Sequence, residues 1–371
     1  MKIVIKIGTS SIKGQAESSA NEELIEQVVE IVYQLKQIGH QVVIVSSGAV
    51  GLGCGRLGWT EKPKTITAKQ AAAAVGQILL ARVYEEFFQK YNQTIGQVLL
   101  TRIGMQNKEG YLNARLTLRE LLLLGVVPII NENDVVADDE IKFSDNDYLS
   151  AVVSELIVAE HLFILTDTEG LFTEDPRQNP NAKLISVVEE INSEIEGQAG
   201  SNGSQWGTGG MSSKIQAAKM ATSFGTTVHI LSSQAPSKII EILQGQKHGT
   251  TFLPRSTPIN ARKAWIACGA SPKGKLIIDN GALAAISKGK SLLPVGIKKI
   301  IGKFGRGVVL EIYFEEEQNQ QPRIVAKGIT KYSSDDLRKI KGLPCEEIDN
   351  ILGYSYGNSA IHRDDLAVIA N

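Results

Sequence analysis

The feature that most constrains the fold is an alternation. Short runs of β-branched and aliphatic residues recur along the first two thirds of the chain, and helix-spaced stretches separate them. Lys2 to Ile7 reads as a buried strand ending in Gly8-Thr9-Ser10, and Gln41 to Val45 as one ending in Ser46-Ser47-Gly48-Ala49. Thr94 to Leu100 is a third. Val126 to Ile130 runs into Asn131-Glu132-Asn133-Asp134, His161 to Leu165 runs into Thr166-Asp167, and Thr226 to Leu231 comes last. Between them, Glu22 to Gln37, Ile66 to Tyr91, Tyr111 to Leu124, Asp145 to Ala159 and the stretch after Lys214 carry helical patterns. Strands that alternate with helices predict an α/β domain, a mostly parallel sheet sandwiched by helices. Ligands of such sheets bind beyond the carboxyl ends of the strands, where these polar clusters fall.

From Pro236 to Lys273 the periodicity stops, and beyond it short β-rich segments dominate: Lys275 to Ile278, Gly307 to Phe314 and Arg323 to Lys327. This predicts a first domain over 1–255, a linker over 256–272 and a small β-rich domain over 273–371. A formal net charge of -1 argues against a wholly nucleic-acid-dedicated chain and leaves room for a local basic face. Cys54, Cys268 and Cys345 lie far apart with no CxxC pair, which suggests neither a zinc ribbon nor a disulfide framework and fits a reducing cytoplasm. Charge at Lys2 and Lys6 breaks the amino terminus too early for a signal peptide. The longest apolar run, Leu121 to Ile130, is too short to span a bilayer and holds Pro128. A cytoplasmic location is the expectation.

Three stretches carry chemistry. Gly207-Thr208-Gly209-Gly210-Met211-Ser212-Ser213-Lys214 leads from a glycine-rich loop into a helix. Free backbone N–H groups, the helix dipole and the Lys214 charge together make a phosphate cradle; as a bare pattern the stretch reads equally as a loop before a helix. Lys6, inside an apolar strand, needs a partner at the strand end, and Gly8 lets backbone approach a ligand closely. Lys6 and Lys214 could then grip one phosphate from two sides. Asp145-Asn146-Asp147 opens a helix, where one residue suffices as a cap; Asp147 is expected to hold the two lysines in place. Gly53-Cys54-Gly55-Arg56-Leu57-Gly58 matches the dinucleotide fingerprint, but Gly58 leads into Trp59 to Pro63 rather than a helix. We read these glycines as a mobile loop over the substrate.

In order along the chain, Lys-Ile-Gly-Thr-Ser, Val-Ser-Ser-Gly-Ala, Ile-Asn-Glu-Asn-Asp, Asp-Asn-Asp, Leu-Thr-Asp and Gly-Thr-Gly-Gly-Met-Ser-Ser-Lys resemble the amino acid kinase family. Asp279 to Ala282, Lys290 to Ile297 and Ile351 to Tyr354 resemble a PUA domain. The resemblance implies the amino acid kinase fold and ATP-dependent phosphorylation, nearest to members acting on the γ-carboxylate of L-glutamate in the first step of proline synthesis. It implies Mg²⁺ arriving with ATP without a named protein ligand, feedback by L-proline and a homo-oligomer, dimer or tetramer. Carried over by position, Lys6 and Lys214 contact the transferring phosphate, and Thr166, Asp167 and the run Thr208, Gly209, Gly210, Met211, Ser212, Ser213, Lys214 bind ATP. Ser47, Asp134 and Asn146 bind glutamate, with Asp134 accepting from its ammonium and Ser47 and Asn146 donating to its α-carboxylate.

Rival readings are a relative acting on acetylglutamate, aspartate, carbamate or UMP, and an RNA-binding protein working through the PUA domain. For the second, Lys288, Lys290, Lys298, Lys299, Lys303 and Arg306 lie in a stretch free of acidic residues between Asp279 and Glu311, which we read as a solvated face.

Overall fold

The computed structural model describes residues 1–12, 14, 20–61, 63–106, 108–137, 146–176, 179, 181–198, 210–255, 263, 266–267, 272–316 and 319–369. The chain divides into two compact units, Met1–Met105 with Glu109–Pro258, and Ile259–Asn371 with Gln106–Lys108. The expected linker falls mostly outside the described residues.

The first unit runs β1 (Lys2–Ile7), α1 (Thr9–Ile12), α2 (Glu22–Gln37), β2 (Gln41–Ser46), α3 (Ala49–Arg56), α4 (Ile66–Gln89), β3 (Ile95–Leu100), α5 (Arg102–Gln106) and α6 (Lys108–Leu123). It continues with β4 (Val127–Glu132), α7 (Asn146–Ile157), β5 (His161–Thr166), β6 (Val187–Val188), α8 (Ser193–Gln198), α9 (Met211–Ser223), β7 (Thr227–Ser232), α10 (Lys238–Leu243) and β8 (Thr250–Phe252). The eight strands form one sheet in the order β3-β4-β2-β1-β5-β7-β8-β6. Every neighbouring pair is parallel except β7 with β8.

Alternation along β1 sorts its side chains. Ile3, Ile5 and Ile7 pack into a core with Val28 and Val32 of α2 and Leu80, Tyr84 and Phe88 of α4. Lys6 has the opposite parity and leaves the sheet on the other face, toward α7. The helices form for local reasons as well. Asn21 caps α2 by accepting from the Leu24 N–H, and Thr65 caps α4 by accepting from the Ala68 N–H. Because β4, β2, β1 and β5 are adjacent and parallel, the clusters after Glu132, Ser46, Ile7 and Thr166 open along one edge.

The glycine stretch read as a mobile loop is mostly helix. Ala49–Arg56 is α3, and only Gly58 sits in a left-handed turn, with φ +71°. A glycine in a helix costs about 1 kcal/mol relative to alanine, and here backbone contact offsets it. A Cβ built on Gly53 would lie 1.8 Å from the Ala72 carbonyl oxygen, and one on Gly76 would lie 1.7 Å from that of Ala49. The glycines let α3 and α4 touch backbone to backbone, a contact that spacing within the first helix alone does not reveal.

The second unit has β9 (Lys275–Ile278), α11 (Asn280–Ser287), β10 (Ile297–Ile301), β11 (Val309–Glu316), β12 (Asn319–Thr330), α12 (Ser334–Ile340), α13 (Ile348–Leu352) and β13 (Ile361–Val368). Its sheet runs β10-β9-β11-β12-β13, antiparallel except between β9 and β11. Leu276, Ile278, Leu310, Ile312, Ile286, Leu337, Ile340, Ile361 and Tyr332 share its core. Lys288, Lys290, Lys298, Lys299, Lys303 and Arg306 are all exposed, and the Arg306 guanidinium stacks 3.5 Å over the Tyr356 ring.

Candidate active site

The site grows from the β1 carboxyl end. Lys6 reaches from the strand to Asp147 in the first turn of α7 and bonds its Oδ1. Lys214, one turn into α9, donates to Oδ2 at 3.2 Å, and the Ser213 hydroxyl donates to the same oxygen at 2.8 Å. Three charged side chains that rarely leave water are buried together, with Asp147 fully enclosed. Such burial is tolerable only because the charges meet with hydrogen-bond geometry. Burial works to raise the Asp147 pKa, but Lys6 first and Lys214 second outweigh it, with bonds from Lys6 and Ser213, and hold the carboxyl down at about 2. Asp147 is thus an anion at any working pH, a bracket between two cations rather than a base.

Gly8 sits where a Cβ would come to 3.4 Å from the Lys6 ammonium, so the backbone passes close by that charge. Gly48, just after β2, has φ +103°, and a Cβ there would lie 2.1 Å from the Ile12 Cγ2 atom. No other residue meets both demands. This turn presents Ser47, whose N–H donates to the Ile7 carbonyl at 3.2 Å.

Beside the lysines lies a buried amide cluster. The Asn146 Nδ2 group faces three acceptors: the Ser46 carbonyl at 3.0 Å, the Ser47 Oγ at 2.8 Å and the Asn131 Oδ1 at 2.9 Å. Asn131 in turn donates to Gln77 Oε1 at 2.8 Å and accepts from the Glu132 N–H at 2.9 Å. The Tyr84 hydroxyl donates to Ser46 Oγ at 3.0 Å. Gln77 and Tyr84 lie two turns apart on α4, and Ser46 and Asn131 are strand residues; the sequence reading assigned none of these four. The available signal was a polar pair seven residues apart on an alanine-rich helix, which puts both on one face.

The structure thus brings Lys6, Asp147, Ser213 and Lys214 together, and separately Ser47 with Asn146. Thr166 ends β5 buried, and its hydroxyl donates to the carboxylate of exposed Asp167 at 3.0 Å. Asp134 is half-buried in the turn after β4. Gly210 forms the N-cap of α9, followed by half-buried Met211 and exposed Ser212. Thr208 and Gly209 lie outside the described residues. Among the described residues no cluster of three or more His, Cys, Asp or Glu side chains could hold a metal ion, and no helix is long and apolar enough to cross a membrane.

A mostly parallel sheet with two buried lysines clamped on one carboxylate at its strand ends defines an α/β protein with a cationic site, and comparison with known proteins gives its family. The chain belongs to the amino acid kinase family, whose model matches residues 1–232, and the PUA domain model matches residues 274–352. It is similar to proteins named glutamate 5-kinase. One from Trichormus variabilis is 48% identical over 369 residues, covering 99% of each chain. Another, from Thermoanaerobacter sp. (strain X514), is 46% identical over 370 residues, covering 100% of this chain and 98% of its own. A solved structure of isopentenyl phosphate kinase aligns with TM-score 0.50 and 17% identity over 68% of this chain and 100% of that one, a likeness of fold.

Proposed function

We propose that this chain transfers the γ-phosphoryl group of ATP to the γ-carboxylate of L-glutamate, giving γ-glutamyl phosphate, the first intermediate of proline synthesis. The observation that carries the reading is the clamp of Lys6 and Lys214 on Asp147, set beside the Ser47–Asn146 cluster. It stands in a chain that matches glutamate 5-kinases from end to end.

A carboxylate is already a nucleophile, so the reaction needs no strong base. Phosphoryl transfer then depends on alignment and on stabilising charge spread over the equatorial oxygens. Lys6 and Lys214 supply that charge, each contacting the phosphate in transit. Asp147 keeps the ammonium groups from repelling each other apart when no phosphate is present. The Ser213 bond fixes the carboxylate that positions Lys214. Thr166, Asp167 and the run Thr208 to Lys214 bind ATP. Asp134 takes the glutamate ammonium, Ser47 donates to the α-carboxylate, and Asn146, bonded to Ser47, also contacts glutamate. Magnesium dehydrates reluctantly and prefers phosphate oxygens and water. Both Asp147 oxygens are engaged by protein donors, so in this reading the ion travels on ATP and neutralises its phosphates.

We place the chemistry in a domain over 1–255 and give the domain over 273–371, joined through 256–272, a regulatory or assembly role. L-Proline carries the same α-carboxylate and a cationic amine, and inhibits by competing with glutamate. The chain assembles as a homo-oligomer: Leu112, Leu116 and Leu123 of α6, Ile78 of α4 and Leu99 of edge strand β3 are exposed apolar side chains, Ile78 to 72%. The enzyme works in the cytoplasm.

The test is ATP turnover against a panel of acidic amino acids, with hydroxylamine trapping the acyl phosphate. L-Glutamate should give magnesium-dependent ADP release and a hydroxamate. Acetylglutamate or aspartate outperforming glutamate would overturn the substrate assignment.

A further inference from the structure

This inference rests on the glutamate reading and concerns which atom of the pocket reads the amine. The sequence made Asn146 a donor to the α-carboxylate. Its two Nδ2 hydrogens are already claimed by three protein acceptors. The amide cannot be turned over, because the Ser46 main-chain carbonyl can only accept, and an Asn146 oxygen 3.0 Å from it would face a second oxygen. Asn131 is fixed in the same way. Its Oδ1 accepts from the Glu132 N–H, which can only donate, so its Nδ2 must point away, to Gln77 Oε1. Among the described residues no group donates to the Asn146 Oδ1. That carbonyl is the polar atom Asn146 has left for a ligand. Ser47 has the complementary outcome: its Oγ accepts from Asn146, which leaves the hydroxyl proton for an anionic acceptor.

We propose that Asn146 reads the substrate's ammonium group through its carbonyl oxygen, together with Asp134, and that Gln77, on α4, is the positioning residue that anchors the Asn131 amide and, through it, the place of the Asn146 carbonyl. The specificity that follows is for a dicarboxylate with a free α-amine. An acylated amine or a bare dicarboxylate has no cation for that oxygen, and an acceptor that a ligand covers without matching weakens binding.

The test compares full-length wild type with Gln77→Met, which keeps the length and removes the acceptor, and Gln77→Glu, which restores an acceptor. Each variant is checked by circular dichroism, and Gln77→Ala is read in the same way should Gln77→Met not fold. Two constants are measured: the KM for L-glutamate, and the inhibition constant of glutarate, the same dicarboxylate without the amine, where a lower bound counts as a value. The expected result is that Gln77→Met raises the KM for glutamate roughly tenfold, the scale of one lost hydrogen bond in a polar network. The inhibition constant of glutarate, kcat and the KM for ATP should stay within about twofold, and Gln77→Glu should recover the wild-type preference. A merely structural role would weaken glutamate and glutarate alike, and that outcome, or an unchanged glutamate preference, overturns the inference while leaving the kinase reading intact. Wild type that forms no hydroxamate from glutamate overturns the kinase reading, and this inference with it.

Discussion

At the scale of single residues the account makes Lys6 and Lys214 the groups that stabilise the transferring phosphoryl, and Asp147 the anion that makes burying them possible. Removing one preorganised charge donor of this kind costs about 10²–10³ in rate. Lys6→Ala and Lys214→Ala should each lower kcat by roughly that factor, with folding retained by circular dichroism. A variant that loses less than tenfold would take its lysine out of the chemistry. Lys6, Asp147 and Lys214 were legible in the sequence because a lysine in an apolar strand and an aspartate too many for a cap are each anomalies. Gln77, Asn131 and Tyr84 were not. Each acts only through a second side chain from a distant element, and no spacing along one element encodes such a pair. The orientation of the Asn146 amide was not legible for the same reason, since it depends on a main-chain carbonyl one hundred positions away in sequence.

At the scale of elements, two contacts decide whether the site is held. The first is the close approach of α3 to α4. Gly76→Ala inserts a methyl group where 1.7 Å separates a Cβ from the Ala49 oxygen, so the helices must part. That change should cost about 3 kcal/mol or more, by overpacking against backbone, and move thermal unfolding down by several degrees; an unchanged midpoint would refute the contact. The second joins α6 to α7, where the Tyr111 hydroxyl donates to Glu155. Burial pushes the Glu155 carboxyl up to about 7, against the lowering effect of the Tyr111 bond and of Arg115. A carboxyl whose folded pKa is raised contributes stability below its unfolded value, near 4.5, and that contribution is lost as pH rises through about 7. Unfolding midpoints should therefore fall between pH 5 and pH 8, and Glu155→Gln should flatten that dependence and be the more stable protein at pH 8. A variant with the wild-type slope would show that Glu155 does not titrate there. Strands β1 to β5 and β7 and helices α2, α4 and α7 were readable from periodicity to within two residues, whereas α6 starts three residues earlier than read, β12 extends three to four residues beyond its reading at each end, and the short strands β6 and β8 went unread. Helix α3 was not, because its glycines oppose local propensity and form helix through contact with α4.

At the scale of the whole molecule, the candidate catalytic residues lie between Lys6 and Lys214, inside one compact unit with its own sheet and core. A chain ended near Ala270 should therefore fold and still phosphorylate glutamate, with changed magnesium dependence, proline response or assembly. A truncated protein that is folded yet inactive would mean that the second unit completes the site. The boundary after Pro258 was visible as the periodicity lost between Pro236 and Lys273, although α10 and β8 of the first unit lie inside that stretch; β10 went unread because five residues carry little pattern, and β13 because His362 to Asp365 interrupt its apolar residues. The central claim, that a glutamate carboxylate oxygen attacks the γ-phosphorus of ATP, is tested most directly by the fate of that oxygen. With both γ-carboxylate oxygens of L-glutamate labelled as ¹⁸O, the attack forms an ¹⁸O–P bond, and hydroxylamine then displaces phosphate at the acyl carbon. The account predicts inorganic phosphate carrying one heavy oxygen for each hydroxamate formed. Phosphate released without label would mean that water, not glutamate, takes the phosphoryl group.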